Sequence, residues 1–178
     1  MKILLTLSIF VMSLSSFASS VDLKKSEFKW KGTKITGEHH GTVKLKSAKI
    51  NEKDGKLISG TFIIDLSTIA VEELSGDWLK KFQGHIMSPD FFNVKKFPTA
   101  KLVVAKVKNG KLIAKLTIKG KTHSIEVPFY KKESSYIGTM TFDRTKFDMI
   151  YGSGDFIKNL GDKMIHNEVN INFKVVTK

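Results

Sequence analysis

The chain has 178 residues, with 30 Lys and Arg against 17 Asp and Glu, which gives a formal net charge of +13. An apolar fraction of 41% excludes an intrinsically disordered chain, and the lack of Cys excludes disulfides and cysteine-ligated metal sites. The length is enough for one domain with a sizeable core.

The first 18 residues differ in character from the rest of the chain. Met1 and Lys2 form a short positive region, Ile3–Leu14 is rich in apolar residues, and small residues stand at Ser16 and Ala18. This pattern predicts a secretory signal peptide that is cleaved after Ala18. An uncleaved membrane anchor is the alternative, but about 12 apolar-rich residues are too few to cross ~30 Å of hydrocarbon. We therefore expect an exported single domain over residues 19–178.

Eight segments of that domain alternate apolar and polar residues with a period of two. In the clearest example, Ala114, Leu116 and Ile118 are separated by polar residues. Such alternation is typical of β-strands with one buried face and one solvated face. The predicted strands are Ser26–Lys31, Thr42–Lys46, Lys56–Leu66, Thr99–Lys106, Lys111–Lys119, His123–Tyr130, Ser135–Asp143 and Glu168–Val176.

Turn signals separate several of these strands. Asp54-Gly55, Asn109-Gly110 and Lys119-Gly120 stand where hairpins between neighbouring strands would need them. About eight strands in mostly consecutive order predict an all-β antiparallel barrel or sandwich.

The segment Ser67–Phe97 interrupts the strand pattern. Gly84 is expected to end a first helix there, and Ser88 followed by Pro89 resembles the start of a second. Asp148–Asn159 is a second irregular stretch. In the first helix, apolar residues recur at helical spacing at Leu74, Trp78, Leu79 and Phe82.

The positive charge comes almost entirely from lysine, because Arg144 is the single arginine. Lysines on the outer positions of most strands indicate first a solvated surface that protects strand edges, and second an attraction to anionic membrane surfaces. A nucleic-acid partner is not expected, since phosphate and base readers depend on arginine. Arg144 is expected either to pair with Asp143 or another acid, or to contact an anionic head group.

Motifs for catalysis and metal binding are missing from the sequence. His39 and His40 are adjacent, so on a strand they point to opposite faces and cannot share one ion. The chain has no G-x-S-x-G motif and no glycine-rich phosphate loop. We expect no catalytic residues, no metal site and no cofactor.

The apolar interior leaves two alternatives. A barrel of eight strands either is filled by its own side chains or holds one ligand. In the first case the insert plugs the barrel mouth, and in the second it covers an apolar pocket as a lid.

The order of motifs resembles the YceI-like family of bacterial lipid- and polyisoprenoid-binding proteins. Five stretches carry the resemblance, and they span almost the whole domain. They are Ser26-x3-Trp30-x-Gly32-x-Lys34-x2-Gly37-x-His39-x-Gly41, Gly60-x-Phe62-x-Ile64-Asp65-x-Ser67-x-Ile69, Leu79 to Ala100 with Gly84-His85-x2-Ser88-x-Asp90-Phe91-Phe92 and Phe97-Pro98, Leu116-Thr117-Ile118-Lys119-Gly120-x-Thr122, and Asp143-Arg144-Thr145-x-Phe147-x3-Tyr151-Gly152-Ser153.

The resemblance implies a lipocalin-like antiparallel β-barrel. Together with the residue pattern, it predicts eight strands with a short helical insert at about residues 67–97. Its apolar pore would hold a long isoprenoid, quinone or fatty-acyl amphiphile, with the head group near the mouth. It further implies a periplasmic protein that binds without catalysing, often as a homodimer. The bound lipid would be the partner. Transient contact with an anionic membrane surface is a separate expectation, which rests on the lysine-rich charge.

Combining the alternation with the resemblance gives a predicted lipid site. Each lining residue could instead be an ordinary core position. The competing functions are a basic envelope-surface protein with a filled barrel and an enzyme that acts on a lipid. The predicted head-group residues are Arg144 and Tyr151, and the predicted lid consists of Trp78, Phe82, Ile86, Phe91 and Phe92. The predicted tail-lining residues are Trp30, Val43, Phe62, Ile64, Leu102, Leu116, Ile118, Val127, Met140 and Phe142.

Overall fold

Nine β-strands, one α-helix and two short 3-10 helices (Arg144–Phe147 and Gly161–Lys163) make up the regular structure of residues 17–178, the part of the chain that the computed structural model describes. The predicted signal peptide lies outside the described residues, apart from its last two. The elements are β1 (Phe17–Ser19), β2 (Val21–Lys34), β3 (Gly37–Lys53), β4 (Lys56–Val71), α1 (Gly76–Met87), β5 (Thr99–Lys108), β6 (Lys111–Ile118), β7 (Lys121–Lys132), β8 (Ser135–Asp143) and β9 (Ile165–Thr177).

The long strands β2 to β9 close into an antiparallel barrel. Consecutive strands pair from β2 through β9, and β9 returns to pair with β2. The three-residue β1 pairs with β3 beyond the end of β2. The predicted eight-stranded antiparallel barrel with a short helical insert is therefore confirmed. Closure also removes the unpaired edges that an open sandwich would expose.

The three hairpin turns expected from the sequence are present. Each has two successive residues with positive φ: 51° and 69° at Asp54-Gly55, 51° and 71° at Asn109-Gly110, and 50° and 76° at Lys119-Gly120. This combination defines the type I′ turn, whose twist matches that of the strands it joins. The turns thus fix the register in which lysines face outward.

Alternation along the strands gives the barrel a continuous apolar interior. On β6, Leu112, Ala114, Leu116 and Ile118 are all buried, and the residues between them face outward. The buried residues form two clusters. One lies under α1 and contains Trp30, and the other lies toward the opposite end and contains Val127.

The insert is shorter and less helical than predicted. β4 continues to Val71 because Ile69 and Val71 are buried and extend the pairing with β3. Gly84 does not end the helix, since one further turn buries Ile86. The predicted second helix at Ser88 is wrong.

Ser88 instead caps the C-terminal end of α1, and turns follow it. Its backbone is extended, with a φ of −71° and a ψ of 172°. The amides of Phe92 and Val94 then donate to the carbonyls of Ile86 and Met87, at 3.2 and 3.0 Å. The chain therefore folds back and satisfies the end of the first helix.

A close approach of backbones fixes the identity of Gly41 on β3. Gly41 lies opposite Trp30 of β2, and the indole Nε1 of Trp30 donates to the Ala70 carbonyl at 3.0 Å. A Cβ at position 41 would overlap that same carbonyl. Any side chain at position 41 would therefore force β3 and β4 apart beside the Trp30 indole.

We expect Gly41→Ala to destabilise the protein by about 3 kcal/mol, because overpacking displaces backbone at a strand pairing. Gly32→Ala is the matched control, since Gly32 is also in a strand and a Cβ there meets no atom within 4 Å. Its free energy of unfolding should change by less than about 0.5 kcal/mol. Urea denaturation of both variants checks the difference, and equal stabilities would contradict the overlap.

Candidate functional site

A cavity of about 470 Å³ occupies the interior of the barrel. This volume is in the range of small-molecule and cofactor sites. Of the two alternatives for the interior, a barrel filled by its own side chains does not fit this cavity. Residues from both apolar clusters line the cavity, including all ten predicted tail-lining residues, Trp30, Val43, Phe62, Ile64, Leu102, Leu116, Ile118, Val127, Met140 and Phe142.

The second half of α1 and the turns after it cover one end of the cavity. Four of the five predicted lid residues line it, namely Phe82, Ile86, Phe91 and Phe92. Trp78 does not line the cavity, and its side chain is 74% exposed. The reason is its position in the first turn of the helix, because only residues from 82 onward reach the opening.

Polar groups lie at the covered end, which we call the mouth. Three histidines that the sequence analysis did not assign to the site, His39, His85 and His166, line the cavity there. The Oγ1 of Thr33, also at the mouth, lies 2.8 Å from the Nδ1 of His166. The cavity is therefore apolar along its depth and polar where it opens, which suits an amphiphile.

Glu73 orients the first of these histidines. Its Oε1 lies 2.6 Å from the Nδ1 of His39, and its Oε2 accepts a hydrogen bond from the His40 amide at 3.1 Å. The His39 ring also lies 4.1 Å from the Phe82 ring, centroid to centroid. Burial raises the pKa of Glu73, but the hydrogen bonds from His39 and the backbone outweigh it, so the net pKa is below its ordinary value.

The Glu73 contact predicts an acid-sensitive contribution to stability. The pKa of Glu73 is lower in the folded protein than its ordinary 4.5. This stability is therefore fully present above pH 4.5 and is lost as the pH falls through the lower, folded-state value. We expect Glu73→Gln to lower the melting temperature at pH 7 and to approach the wild type as the pH falls below the folded-state pKa, as thermal melts across pH would measure.

The adjacent Glu72→Gln is the control, because it leaves the contact with His39 in place. Its melting temperature should stay parallel to that of the wild type across the same pH series. A constant gap between the wild type and Glu73→Gln at all pH values would contradict the titration of this carboxylate.

Arg144 lines the cavity but is engaged by the protein backbone. Its Nε donates to the His166 carbonyl at 3.1 Å and its Nη2 to the Ile165 carbonyl at 3.0 Å, while its Nη1 donates to the Met149 carbonyl. The expected ion pair with Asp143 is not formed. Asp143 instead accepts hydrogen bonds from the amide and the hydroxyl of Thr145.

The guanidinium of Arg144 is buried, and this lowers its pKa. The residue is only 2% exposed, and its guanidinium lies 5.9 Å from the centre of the Phe91 ring. Burial lowers the pKa of Arg144, and the charge of Asp143 partly offsets this. The guanidinium thus ties the loop after β8 to the start of β9, beside the lid.

Tyr151 lies outside the cavity. Its side chain is 47% exposed, and its ring meets that of His85 edge-on with the centroids 4.5 Å apart. It therefore packs against the outer side of a mouth residue and is not part of the cavity wall.

The opposite end of the barrel contains a partly buried polar contact. The hydroxyl of Tyr136 donates to the carboxylate of Glu52, which also accepts from the Nζ of Lys131 at 3.1 Å. Burial raises the pKa of Tyr136, and the nearby Glu52 raises it further. This contact links β3, β7 and β8 far from the lid.

Within residues 17–178, no three His, Cys, Asp or Glu side chains are grouped as a metal ion would require. No helix in the same part of the chain is long and apolar enough to cross a membrane.

The fold and the sequence both match known proteins. The family model described as YceI-like domain matches residues 19–177. A search of curated proteins gave no match.

Solved structures share the barrel at low sequence identity. BcnA of Burkholderia cenocepacia is 23% identical over 89% of this chain and 100% of its own, with a TM-score of 0.69. A polyisoprenoid binding domain from Saccharophagus degradans, implicated in plant cell wall breakdown, is 13% identical over 90% of this chain and 98% of its own, with a TM-score of 0.61. The YCEI protein of Campylobacter jejuni is 14% identical over 98% of this chain and 93% of its own, with a TM-score of 0.54.

Proposed function

We propose that this chain, which belongs to the YceI-like family and has a hollow barrel, holds a long-chain isoprenoid or a similar amphiphile in its cavity. The ligand is of the polyisoprenoid, quinone or fatty-acyl type. The observation that carries the proposal is the apolar cavity under the lid. The polyisoprenoid binding domain from Saccharophagus degradans, which has the same fold, supports this ligand class.

The energetics of the cavity favour a tail over a polar ligand. Each methylene moved from water into an apolar site contributes about 0.8 kcal/mol, so a tail of about 20 carbons contributes on the order of 15 kcal/mol before its costs. Ordering the tail offsets a large part of that gain. Such a site must be long and apolar, and apolar side chains such as Phe62, Leu116 and Val127 line it.

The head group would lie at the polar mouth. His39, His85 and Thr33 each offer a hydrogen-bonding atom there, and an imidazole or hydroxyl can meet the hydroxyl or carbonyl oxygen of a lipid. Arg144 is less suited to this role because three backbone carbonyls already engage its guanidinium.

We place the protein in the periplasm as a carrier or store of this lipid. The N-terminal pattern of residues 1–18 supports export, and the family model begins at residue 19, directly after the predicted cleavage site. The missing catalytic motifs and the binding character of the family support binding without turnover.

Native mass spectrometry of protein purified from its own host tests the proposal. We expect an added mass in the range of a long-chain lipid, which organic extraction removes and identifies. Ligand-free protein in repeated preparations, together with no uptake of prenyl or fatty-acyl probes, would contradict it.

A further inference from the structure

Five exposed apolar side chains surround the mouth of the cavity. Four of them, Ile150, Tyr151, Phe156 and Ile157, stand within eight residues of the loop between β8 and β9, and Ile35 stands in the turn between β2 and β3. Each is between 40% and 57% exposed. We call these five residues the mouth collar. Exposed apolar side chains in such a concentration mark an interaction site more often than scattered ones do.

The mouth collar is continuous with residues that line the cavity. The Tyr151 ring packs against His85, and the Gly152 carbonyl accepts from the amide of Ile165 at 2.8 Å. The Ile35 amide donates to the Met164 carbonyl at 3.1 Å, which joins the turn to the segment before β9. His85 and Ile165 both line the cavity, so the collar stands directly outside the opening.

Hydrogen bonds within the loop and to β9 hold the loop that carries four of the collar residues. Ser153 is fully buried, and its carbonyl accepts from the amide of Ile157 at 2.9 Å. The amide group of Asn167 on β9 donates to the Asp155 carboxylate at 2.6 Å. The bond from Asn167 ties the loop to the barrel and the bond to Ser153 closes a turn within the loop, while the apolar side chains of Phe156 and Ile157 stay exposed.

The charges beside the collar are compatible with an anionic surface. Lys34 and Lys163 line the mouth, and Lys158 follows Ile157 directly. The acids of the same loop are Asp148, which pairs with Lys121 at 2.7 Å, Asp155, which Asn167 already engages, and Asp162. The whole chain carries +13, so an anionic bilayer attracts it from a distance.

We propose that the mouth collar docks on an anionic lipid bilayer and that lipid enters and leaves the cavity there. This rests on the proposed function, since it describes how the same cavity is loaded. Exchange through water would expose the tail at about 0.8 kcal/mol per methylene. A mouth seated in the interface avoids that exposure, because aromatic and aliphatic side chains partition into the boundary between head groups and acyl chains.

Vesicle co-sedimentation of the mature protein tests the docking. The vesicles contain phosphatidylcholine with phosphatidylglycerol. We expect the double variant Phe156→Ser, Ile157→Ser to partition about 50-fold more weakly than the wild type. Tyr130→Ser is the matched control, because Tyr130 is 57% exposed like Phe156 but lies on the wall strand β7. That control should bind as the wild type does.

Uptake of a dansyl-labelled prenyl alcohol from detergent separates this proposal from the proposed function. The double variant should take up the probe as the wild type does, since neither residue lines the cavity, but should transfer it between vesicles at least about tenfold more slowly. A wild type that takes up no probe would reject the proposed function instead.

Three results would overturn the docking proposal. The first is unchanged vesicle binding by the double variant. The second is binding that salt abolishes equally in both proteins, which would assign it to the lysines. The third is a wild-type dimer in sedimentation that the double variant converts to a monomer, which would assign the collar to a second copy of the chain.

Discussion

Leu116→Trp is expected to weaken uptake of a long-chain lipid by about 100-fold and to leave the fold intact. Leu116 lies on β6 with its buried side chain in the cavity wall, so a larger side chain occupies ligand volume. Displacing about four methylenes from an apolar site costs about 3 kcal/mol, which corresponds to roughly that loss of affinity. Titration with a fluorescent prenyl or fatty-acyl probe measures the change.

Ile113→Trp is the control on the same strand, because residue 113 faces outward and does not line the cavity. Its uptake should match that of the wild type. Thermal melts complete the test. In a hollow barrel the indole at position 116 enters empty space. In a close-packed interior the same substitution would lower the free energy of unfolding by about 1–3 kcal/mol. Strong destabilisation with retained uptake would contradict the hollow barrel.

The cavity wall was predictable because alternation is a local property of each strand. Once the strand direction is known, every second residue faces inward, so Leu116 and Ile118 follow from the pattern of β6 alone. The hairpin turns were predictable for a related reason. Asn109-Gly110 adopts positive φ values at both residues, which few other dipeptides do without strain.

The lid was only partly predictable because helix positions depend on packing between elements. Helical spacing placed Trp78 and Phe82 on one face, which is correct for the helix itself. How far that helix extends across the opening depends on the β4 end at Val71 and on the turns after Met87. The sequence of the helix itself indicates neither the end of β4 nor those turns. For this reason Trp78 was predicted to line the cavity, although its side chain faces solvent.

The polar mouth depended on tertiary contacts between distant segments. His39 and Glu73 are 34 positions apart, and Thr33 and His166 are 133 apart. In the sequence His85 and His166 are isolated and His39 adjoins only His40, and none of them has a metal-ligand spacing. The signal that could have found them is the inward alternation of β3, which places His39 two residues from Gly41 and four from Val43 on the same face.

At Arg144, too, tertiary contacts distinguish a structural cation from a ligand-binding one. The sequence left open an acid partner or a lipid head group. The guanidinium instead meets the carbonyls of Met149, Ile165 and His166. Since these carbonyls belong to two segments that no strand ladder joins, the side chain substitutes for missing backbone pairing.

Arg144→Met is therefore expected to destabilise the protein by about 4 kcal/mol. A buried carbonyl that loses its donor costs about 1–3 kcal/mol, and the substitution removes the donor from three. Arg144→Lys should recover only part of the loss, because one ammonium cannot reach carbonyls spread across a planar fork. Lys146→Met, an exposed neighbour on the same short turn, should change stability by less than about 0.5 kcal/mol. Urea denaturation measures all three.

Lipid uptake by the Arg144 variants decides between the two roles of this residue. A structural role predicts that Arg144→Met, at a temperature where it remains folded, loses affinity equally for acidic and neutral head groups. A head-group role predicts a stable Arg144→Met variant with a selective loss for phosphate or carboxylate lipids. That second pattern would contradict the assignment, because a guanidinium that already serves Met149, Ile165 and His166 has little capacity left to select an anion.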